Sequence, residues 1–232
     1  MTAVTHVLFD FFGTLVAYDK RVTGPGLEHS HRLLVDSGSS LSREHFEALW
    51  TATFERYEQQ AHASFDEFAL ETACSELLRN ALPRAFESDL VARFRDTFLA
   101  EWNEGVCDLP GVPALLSALR ERFTLVLVSN TNHAPLVHGH LRRMAVAQHF
   151  HAVVTSVEHG RRKPSPCIFH HALELTSGRA EAAVYVGDSY AADYHGALAA
   201  GLRPLLIDPQ HRHPIPDEHR IASILDLHHT LS

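Results

Sequence analysis

The chain predicts an α/β fold: a Rossmann-like, doubly wound parallel sheet with an inserted α-helical domain. Three observations carry that expectation. Two short apolar runs near opposite ends of the chain stop abruptly at an acid, His6-Val7-Leu8-Phe9-Asp10 and Val184-Tyr185-Val186-Gly187-Asp188. Strand-length and helix-length patterns alternate through the second half, as parallel strands joined by right-handed crossovers require. Between the first run and that alternating half lies a long stretch with helical periodicity only.

The first strand ends at Asp10, and Phe11-Phe12-Gly13-Thr14-Leu15 turns the chain sharply. Gly24-Pro25-Gly26 then marks a loop into helical territory, which continues to about Glu104. Phe46, Leu49, Trp50, Phe54 and Tyr57 recur at three- and four-residue spacings and give one apolar helix face. Ser64-Phe65-Asp66-Glu67 reads as a capping box opening a second helix through Phe68, Leu70, Cys74, Leu77 and Leu78. Ser88 is the expected cap of a third, through Val91, Phe94, Phe98 and Trp102. These aromatic stripes are read as packing between helices.

Asp108-Leu109-Pro110-Gly111 marks the return to the sheet domain. A helix through Leu115, Leu116 and Leu119 leads to a strand over Thr124–Val128. Further helices are expected near His138–Ala147, Ser165–Leu175 and Ala191–Ala200, and further strands over Ala152–Thr155, Ala183–Val186 and Arg203–Ile207. The domains are therefore drawn as residues 1–17 with 106–232, and 18–105.

Four segments collect the chemistry. Asp10 with Thr14, Ser129-Asn130 at the end of a strand, Lys163 before a rigid Pro164-Ser165-Pro166 turn, and Asp188 with Asp193 all fall at strand ends or in loops. Open α/β sheets place reactive groups at the carboxyl ends of their strands. The inventory suits a phosphate: hydroxyls and an ammonium for its oxygens, carboxylates for a hard cation, one Asp as nucleophile.

Asp10-x-x-Gly13-Thr14-Leu15, Ser129-Asn130, Lys163-Pro164 and Gly187-Asp188-x-x-x-x-Asp193, in this order, resemble the four motifs of the haloacid dehalogenase-like hydrolase superfamily. The resemblance extends from end to end, with Glu158-x-Gly160 before the lysine and Gly196-Ala197 after the last acids. It implies a phosphatase or phosphotransferase that acts on a small phosphorylated metabolite through an aspartyl-phosphate on Asp10. It further implies Mg2+ held by Asp10, the Phe12 backbone carbonyl, Asp188 and, through the second shell or a water, Asp193. Thr14, Ser129, Asn130 and Lys163 are then the phosphate cradle. A helical insert at this point of the chain resembles the caps that let small-molecule members of the superfamily choose their substrates.

One residue departs from the pattern. Superfamily phosphatases carry a second Asp two positions after the nucleophile, as general acid and base; here that residue is Phe12. A phenyl ring moves no proton, and positioned acid–base catalysis contributes roughly 10²–10⁴ in rate. Slow or specialised turnover is expected, favouring substrates whose leaving group departs without protonation. The alternative is a catalytically silent member that binds a phosphometabolite or a partner. A dehalogenase-type hydrolase is third: that branch has an aromatic at the position of Phe12, but also a cap arginine where alignment places Thr51. A phosphonate-cleaving member needs a cap lysine, and the two lysines here are Lys20 and Lys163. His133, just after Ser129-Asn130-Thr131-Asn132, is the candidate substrate contact or substitute proton carrier; Tyr190 and His195 are weaker ones.

Composition agrees. A net charge of -8 and a pI near 6.1 disfavour general binding to nucleic acid or to an anionic membrane surface. No run reaches the ~18 apolar residues of a membrane span, and no secretion signal is read at the start. Cys74, Cys107 and Cys167 are few and scattered, which points to the cytoplasm rather than to a disulfide framework. The 19 histidines lack partners at metal-ligand spacing and are read mostly as surface residues.

Overall fold

The computed structural model describes residues 3–18 and 27–231. The expected Gly24-Pro25-Gly26 loop, and Lys20, lie outside the described residues. The chain divides into two compact units, Met1–Ala17 with Asp108–Ser232, and Tyr18–Cys107.

The first unit is built on a six-stranded sheet. Its strands are β1 (His6–Phe9), β4 (Thr124–Ser129), β5 (Ala152–Thr155), β6 (Ala183–Gly187), β7 (Arg203–Ile207) and β8 (Arg220–Ile221). They run in the order β5-β4-β1-β6-β7-β8, with every neighbouring pair parallel. The near-continuous apolar runs of β1, β4 and β6 follow from this, because both faces of a parallel sheet are covered. Val7, Leu8 and Phe9 are fully buried, as are Val126, Val128 and Tyr185. On one face Leu8, Val126, Val128 and Tyr185 pack with Ile168, Phe169 and Ala172 of the helix Pro166–Glu174. The chain order reverses at β1, between β4 and β6, the switch point where such sheets bind ligands at their carboxyl ends. Two short strands, β2 (Val16–Tyr18) and β3 (Val106–Asp108), form a separate pair, and the unit boundaries fall within them. The second boundary thus lies two residues later than the sequence placed it.

The second unit is helical: α1 (Glu28–Asp36), α2 (Arg43–Ser64), α3 (Leu70–Ala81) and α4 (Ser88–Asn103). Phe46 and Trp50 are buried against Phe94 and Phe98, with Leu49, Phe54 and Tyr57 partly buried in the same cluster. Trp50 stands edge-on to Phe98 at 4.7 Å between centroids, a favoured aromatic geometry. The stripe is core packing. Glu101, itself buried, accepts the His29 and Ser30 N–H groups (2.6 and 3.1 Å) and so closes the exposed amino end of α1.

The sequence erred at several helix ends. No capping box forms at Ser64, which is instead the last residue of α2. Phe65 takes a left-handed conformation (φ 61°) and returns its N–H to Ala61 O, which stops the helix. Glu67 accepts the N–H of Phe68 rather than that of Ser64, and α3 starts only at Leu70. Phe68 therefore precedes the helix and stacks on Tyr57 at 5.1 Å. Likewise Glu87 holds the cap position of α4, and Ser88 is already its first residue.

In the sheet unit, α5 (Val112–Leu119) follows β3, and α6 runs over Ala134–Arg143, several residues before its expected place. Pro135 in its first turn favours the early start, and Ala145 at φ 54° ends it. After β6 the chain makes a π-helical turn over Tyr190–His195 before one α-turn at Gly196–Ala199. Strand β8 is too short for any periodicity to show. Among the described residues no helix is long and apolar enough to cross a membrane.

Candidate active site

Strand β1 delivers Asp10 to the carboxyl edge of the sheet, where its backbone N–H donates to Val186 O on β6 (2.9 Å). The turn that follows wraps on one carbonyl: Phe11 O accepts the N–H groups of Thr14, Leu15 and Val16. Gly13 makes it possible at φ +87°. A Cβ there would also stand 2.3 Å from Asp188 Oδ2, so no other residue fits without moving that carboxylate. The turn aims the buried Thr14 hydroxyl at Asp10 Oδ2 (3.2 Å).

Lys163 arrives from the other side of β1. It is 2% exposed, and Asn130 fixes its backbone twice: the Asn130 amide donates to Lys163 O (3.0 Å) and accepts the Lys163 N–H (2.8 Å). The Lys163 ammonium donates to Asp10 Oδ1, Asp193 Oδ1 and the Tyr185 hydroxyl, each at 2.7 Å. Asp193 lies on the π-helical turn, which places it back beneath the end of β6, and Ser189 N–H donates to its Oδ2 (2.8 Å). Gly187 is required here as well, since a Cβ would sit 2.3 Å from Asp193 Cγ.

Asp10, Asp188 and Asp193 each bring a carboxylate oxygen within 4.8 Å of the others. Three acids thus crowd a site with one ammonium, which Asp10 and Asp193 share, and the excess of negative charge bears on their protonation. Burial, reinforced by Asp193 and opposed by Lys163, pushes Asp10 up to about 6. Asp188 is exposed at its surface but crowded by protein. Loss of solvent, then the charges of Asp10 and Asp193, push it up to about 7. Burial pulls the Lys163 ammonium down, but Asp10 and Asp193 outweigh it and its pKa is raised.

This donor set fits a small divalent cation: hard oxygens converge, and the local charge excess favours one. It also fits an anion beside it. Ser129 ends β4 fully buried, and its hydroxyl has no hydrogen-bond partner among the described residues. A buried hydroxyl left open is costly unless a ligand or water answers it.

The remaining candidates occupy other surroundings. The Phe12 ring is half-buried, edge-on to Phe11 at 4.8 Å, with the His140 ring 6.2 Å away. His133 takes the cap position of α6, its N–H on the Thr131 hydroxyl (3.2 Å). Tyr190 stacks on His213 (4.4 Å), and His195 meets its edge (4.4 Å). Tyr185 was not foreseen. In a continuously apolar strand it reads as one more core aromatic, and nothing local shows that its hydroxyl meets residues far off in sequence.

The sheet order, the acid-rich strand ends and the buried lysine define a candidate enzyme site at the switch point of a parallel α/β sheet. A model of the haloacid dehalogenase-like hydrolase family matches residues 4–201, and the chain belongs to that family. It is 35% identical over 126 residues to haloacid dehalogenase-like hydrolase domain-containing protein 3 of Bos taurus, covering 51% of this chain and 49% of that one. It is 30% identical over 114 residues to ribulose-1,5-bisphosphate 5-phosphatase of Halopiger xanaduensis, covering 49% and 48%. These matches span about half the length of the curated relatives. Among solved structures, a 2-haloacid dehalogenase from Pseudomonas syringae superposes with a TM-score of 0.69 at 24% identity, covering 98% of both chains. That likeness speaks for the fold alone.

Proposed function

We propose that the protein is a magnesium-dependent phosphatase or phosphotransferase acting on a small phosphorylated metabolite through an aspartyl-phosphate on Asp10. The observation that carries this reading is the pairing of a three-carboxylate cluster around Lys163 with an open, buried Ser129 hydroxyl. A phosphatase among the relatives supports the phosphoryl over the haloacid reading. So does the exposed Thr51, where the resemblance calls for an arginine in a dehalogenase.

Asp10, Asp188, the Phe12 carbonyl and, from behind, Asp193 would hold Mg2+, which when bound draws charge from the phosphate oxygens. Lys163 and the hydroxyls of Thr14 and Ser129 orient the phosphoryl group and answer the charge that grows on it. Asn130 serves by locking the Lys163 backbone, and His133 is kept as a substrate contact. An Asp10 oxygen attacks phosphorus as the bond to the leaving oxygen breaks; water then cleaves the acyl phosphate, releasing phosphate and restoring the carboxylate. Phe12 protonates neither leaving group nor water, so the favoured substrates are esters or anhydrides with stable anionic leaving groups. The cytoplasm is the proposed compartment, in keeping with three free cysteines.

The test is a time course of nitrophenol release from p-nitrophenyl phosphate at high protein concentration, with and without Mg2+, beside Asp10→Asn. Release that needs both Asp10 and Mg2+ is the expected result, with a loss of about a thousandfold or more in Asp10→Asn. A burst that stalls after one equivalent would place the block at the second step, where Phe12 stands. Release from neither protein would overturn the proposal in favour of a binding role, with haloacids as the next substrates.

A further inference from the structure

Tyr185 is a fully buried side chain on β6, and its ring packs edge-on to Phe169 at 4.9 Å. A core aromatic of this kind needs no hydroxyl. Yet the hydroxyl lies 2.7 Å from Lys163 Nζ, 3.1 Å from Asp193 Oδ1 and 3.1 Å from the carbonyl of Val128 on β4. The Lys163 ammonium has three N–H donors, and Asp10, Asp193 and Tyr185 take one each. Lys163 is 2% exposed, so each of these acceptors takes an N–H that bulk solvent does not reach.

The hydroxyl also joins strands that do not touch. Val128 on β4 and Tyr185 on β6 flank β1, and the Val128 carbonyl immediately precedes Ser129. The phenol proton goes to Val128 O or to Asp193 Oδ1, while its oxygen receives Lys163. A tyrosine phenol, with an ordinary pKa of about 10, is protonated and uncharged at neutral pH. A neutral acceptor fixes one N–H of the lysine without competing with Asp10 for its charge.

We propose that Tyr185 is a positioning residue: its hydroxyl holds the Lys163 ammonium in the one orientation in which Asp10 and Asp193 share it. For catalysis this rests on the reading of the site as a phosphoryl-transfer centre. The geometric part does not, and the two separate experimentally.

Tyr185→Phe removes the hydroxyl and keeps the ring. The chain has only two lysines, Lys20 and Lys163, so lysine labelled with heavy nitrogen gives a two-signal ammonium spectrum with its own reference. The Lys163 signal is expected to shift or to broaden through faster exchange with water in Tyr185→Phe, with Lys20 unmoved. An unmoved Lys163 signal overturns the proposal whatever the protein catalyses. In the unaltered protein a through-space contact must join the Lys163 ammonium to the Tyr185 ring, whose centroid is 5.3 Å from Nζ; its absence also overturns the proposal, even if the variant fails to fold.

On phosphate ester turnover, Tyr185→Phe is expected to lower kcat about ten- to a hundredfold with KM little changed. Against a Lys163→Met background the same substitution is expected to cost nothing further, because a residue that acts through the lysine has nothing left to act on. Equal losses in both backgrounds would make the hydroxyl merely structural. If the unaltered protein turns over no phosphate ester, the functional reading fails and the spectra still decide the role of Tyr185.

Discussion

Two charge clusters stand on the same carboxyl edge of the sheet, and they are built on opposite principles. At the end of β1 and β6, Asp10, Asp188 and Asp193 crowd one Lys163, and two of the three acids are pushed well up from their ordinary range. Where β7 ends and β8 begins, Asp208 meets Arg220, with the exposed Asp217 3.9 Å from the same guanidinium. Asp208 also accepts the N–H groups of Arg212 and His213 (2.9 and 3.1 Å). Burial works against its ionised form, but those N–H donors and the guanidinium outweigh it and hold its pKa low. Arg220 in turn donates to the carbonyls of His213 and Ile215, so the pair staples the loop between the last two strands. The balanced cluster is structural. The unbalanced one holds excess negative charge that protons or a cation can answer, which marks it as a candidate functional site rather than a staple.

The largest effect is expected from making the imbalance worse. Phe12→Asp restores the proton carrier that superfamily phosphatases use and adds a fourth acid at the site. If the rest of the site is competent, turnover of an alkyl phosphate, a poor leaving group, should rise about a hundredfold or more. The metal-free variant should melt lower than the unaltered protein. Steady-state kinetics with and without Mg2+ check the first, and thermal unfolding in a chelator checks the second. No gain in turnover would mean that more than the proton carrier is missing.

A smaller but cleaner effect is a difference in sign. In the absence of metal near neutral pH, Asp188→Asn should raise the melting temperature, because it removes a charge that the fold holds at a cost. Asp208→Asn should lower it, because Arg220 then loses its buried carboxylate partner, with the exposed Asp217 left 3.9 Å away, and the loop its staple. Only the first should abolish Mg2+-dependent turnover. Shifts of the same sign in both variants would erase the distinction between the clusters.

The unbalanced cluster was legible in the sequence and the balanced one was not, for physical reasons. Asp10 and Asp188 close apolar runs, so local pattern alone puts them at strand ends, and the Pro164-Ser165-Pro166 turn singles out Lys163. Asp208 also closes a strand, but its partner Arg220 belongs to a two-residue strand that has no periodicity. Tyr185 hides for a related reason: its ring satisfies the strand pattern, and the hydroxyl acts on Lys163, brought near only by the fold. Asn130 is legible by type and place as a candidate phosphate contact, but its pairing with the Lys163 backbone, brought near only by the fold, is not. In the helical unit the error at Ser64 came from a motif with the right letters on the wrong side of a helix end. There Phe65 accepts a left-handed backbone that its residue type does not announce.

The subtlest expectation concerns protons and metal together. Asp10 and Asp188 have folded-state pKa values of about 6 and about 7, both raised from 3.8. A raised carboxylate lends its stability fully below the unfolded value and loses it as pH climbs through the folded one, so the metal-free protein weakens between about pH 4 and about pH 7 on their account. Asp208, held low, contributes above the usual carboxylate range and titrates out only as pH falls below it, so it is silent in that window. A divalent cation needs the unbalanced acids ionised. At about pH 5.5 it competes with their protons; at about pH 8 it does not, and it relieves the repulsion it finds there. The rise in melting temperature on adding Mg2+ should therefore be larger at about pH 8 than at about pH 5.5, and should shrink in Asp188→Asn. Scans at both pH values, with and without Mg2+, measure it. Equal increments would mean that the three acids are not where the cation binds, and that their imbalance is met by protons alone.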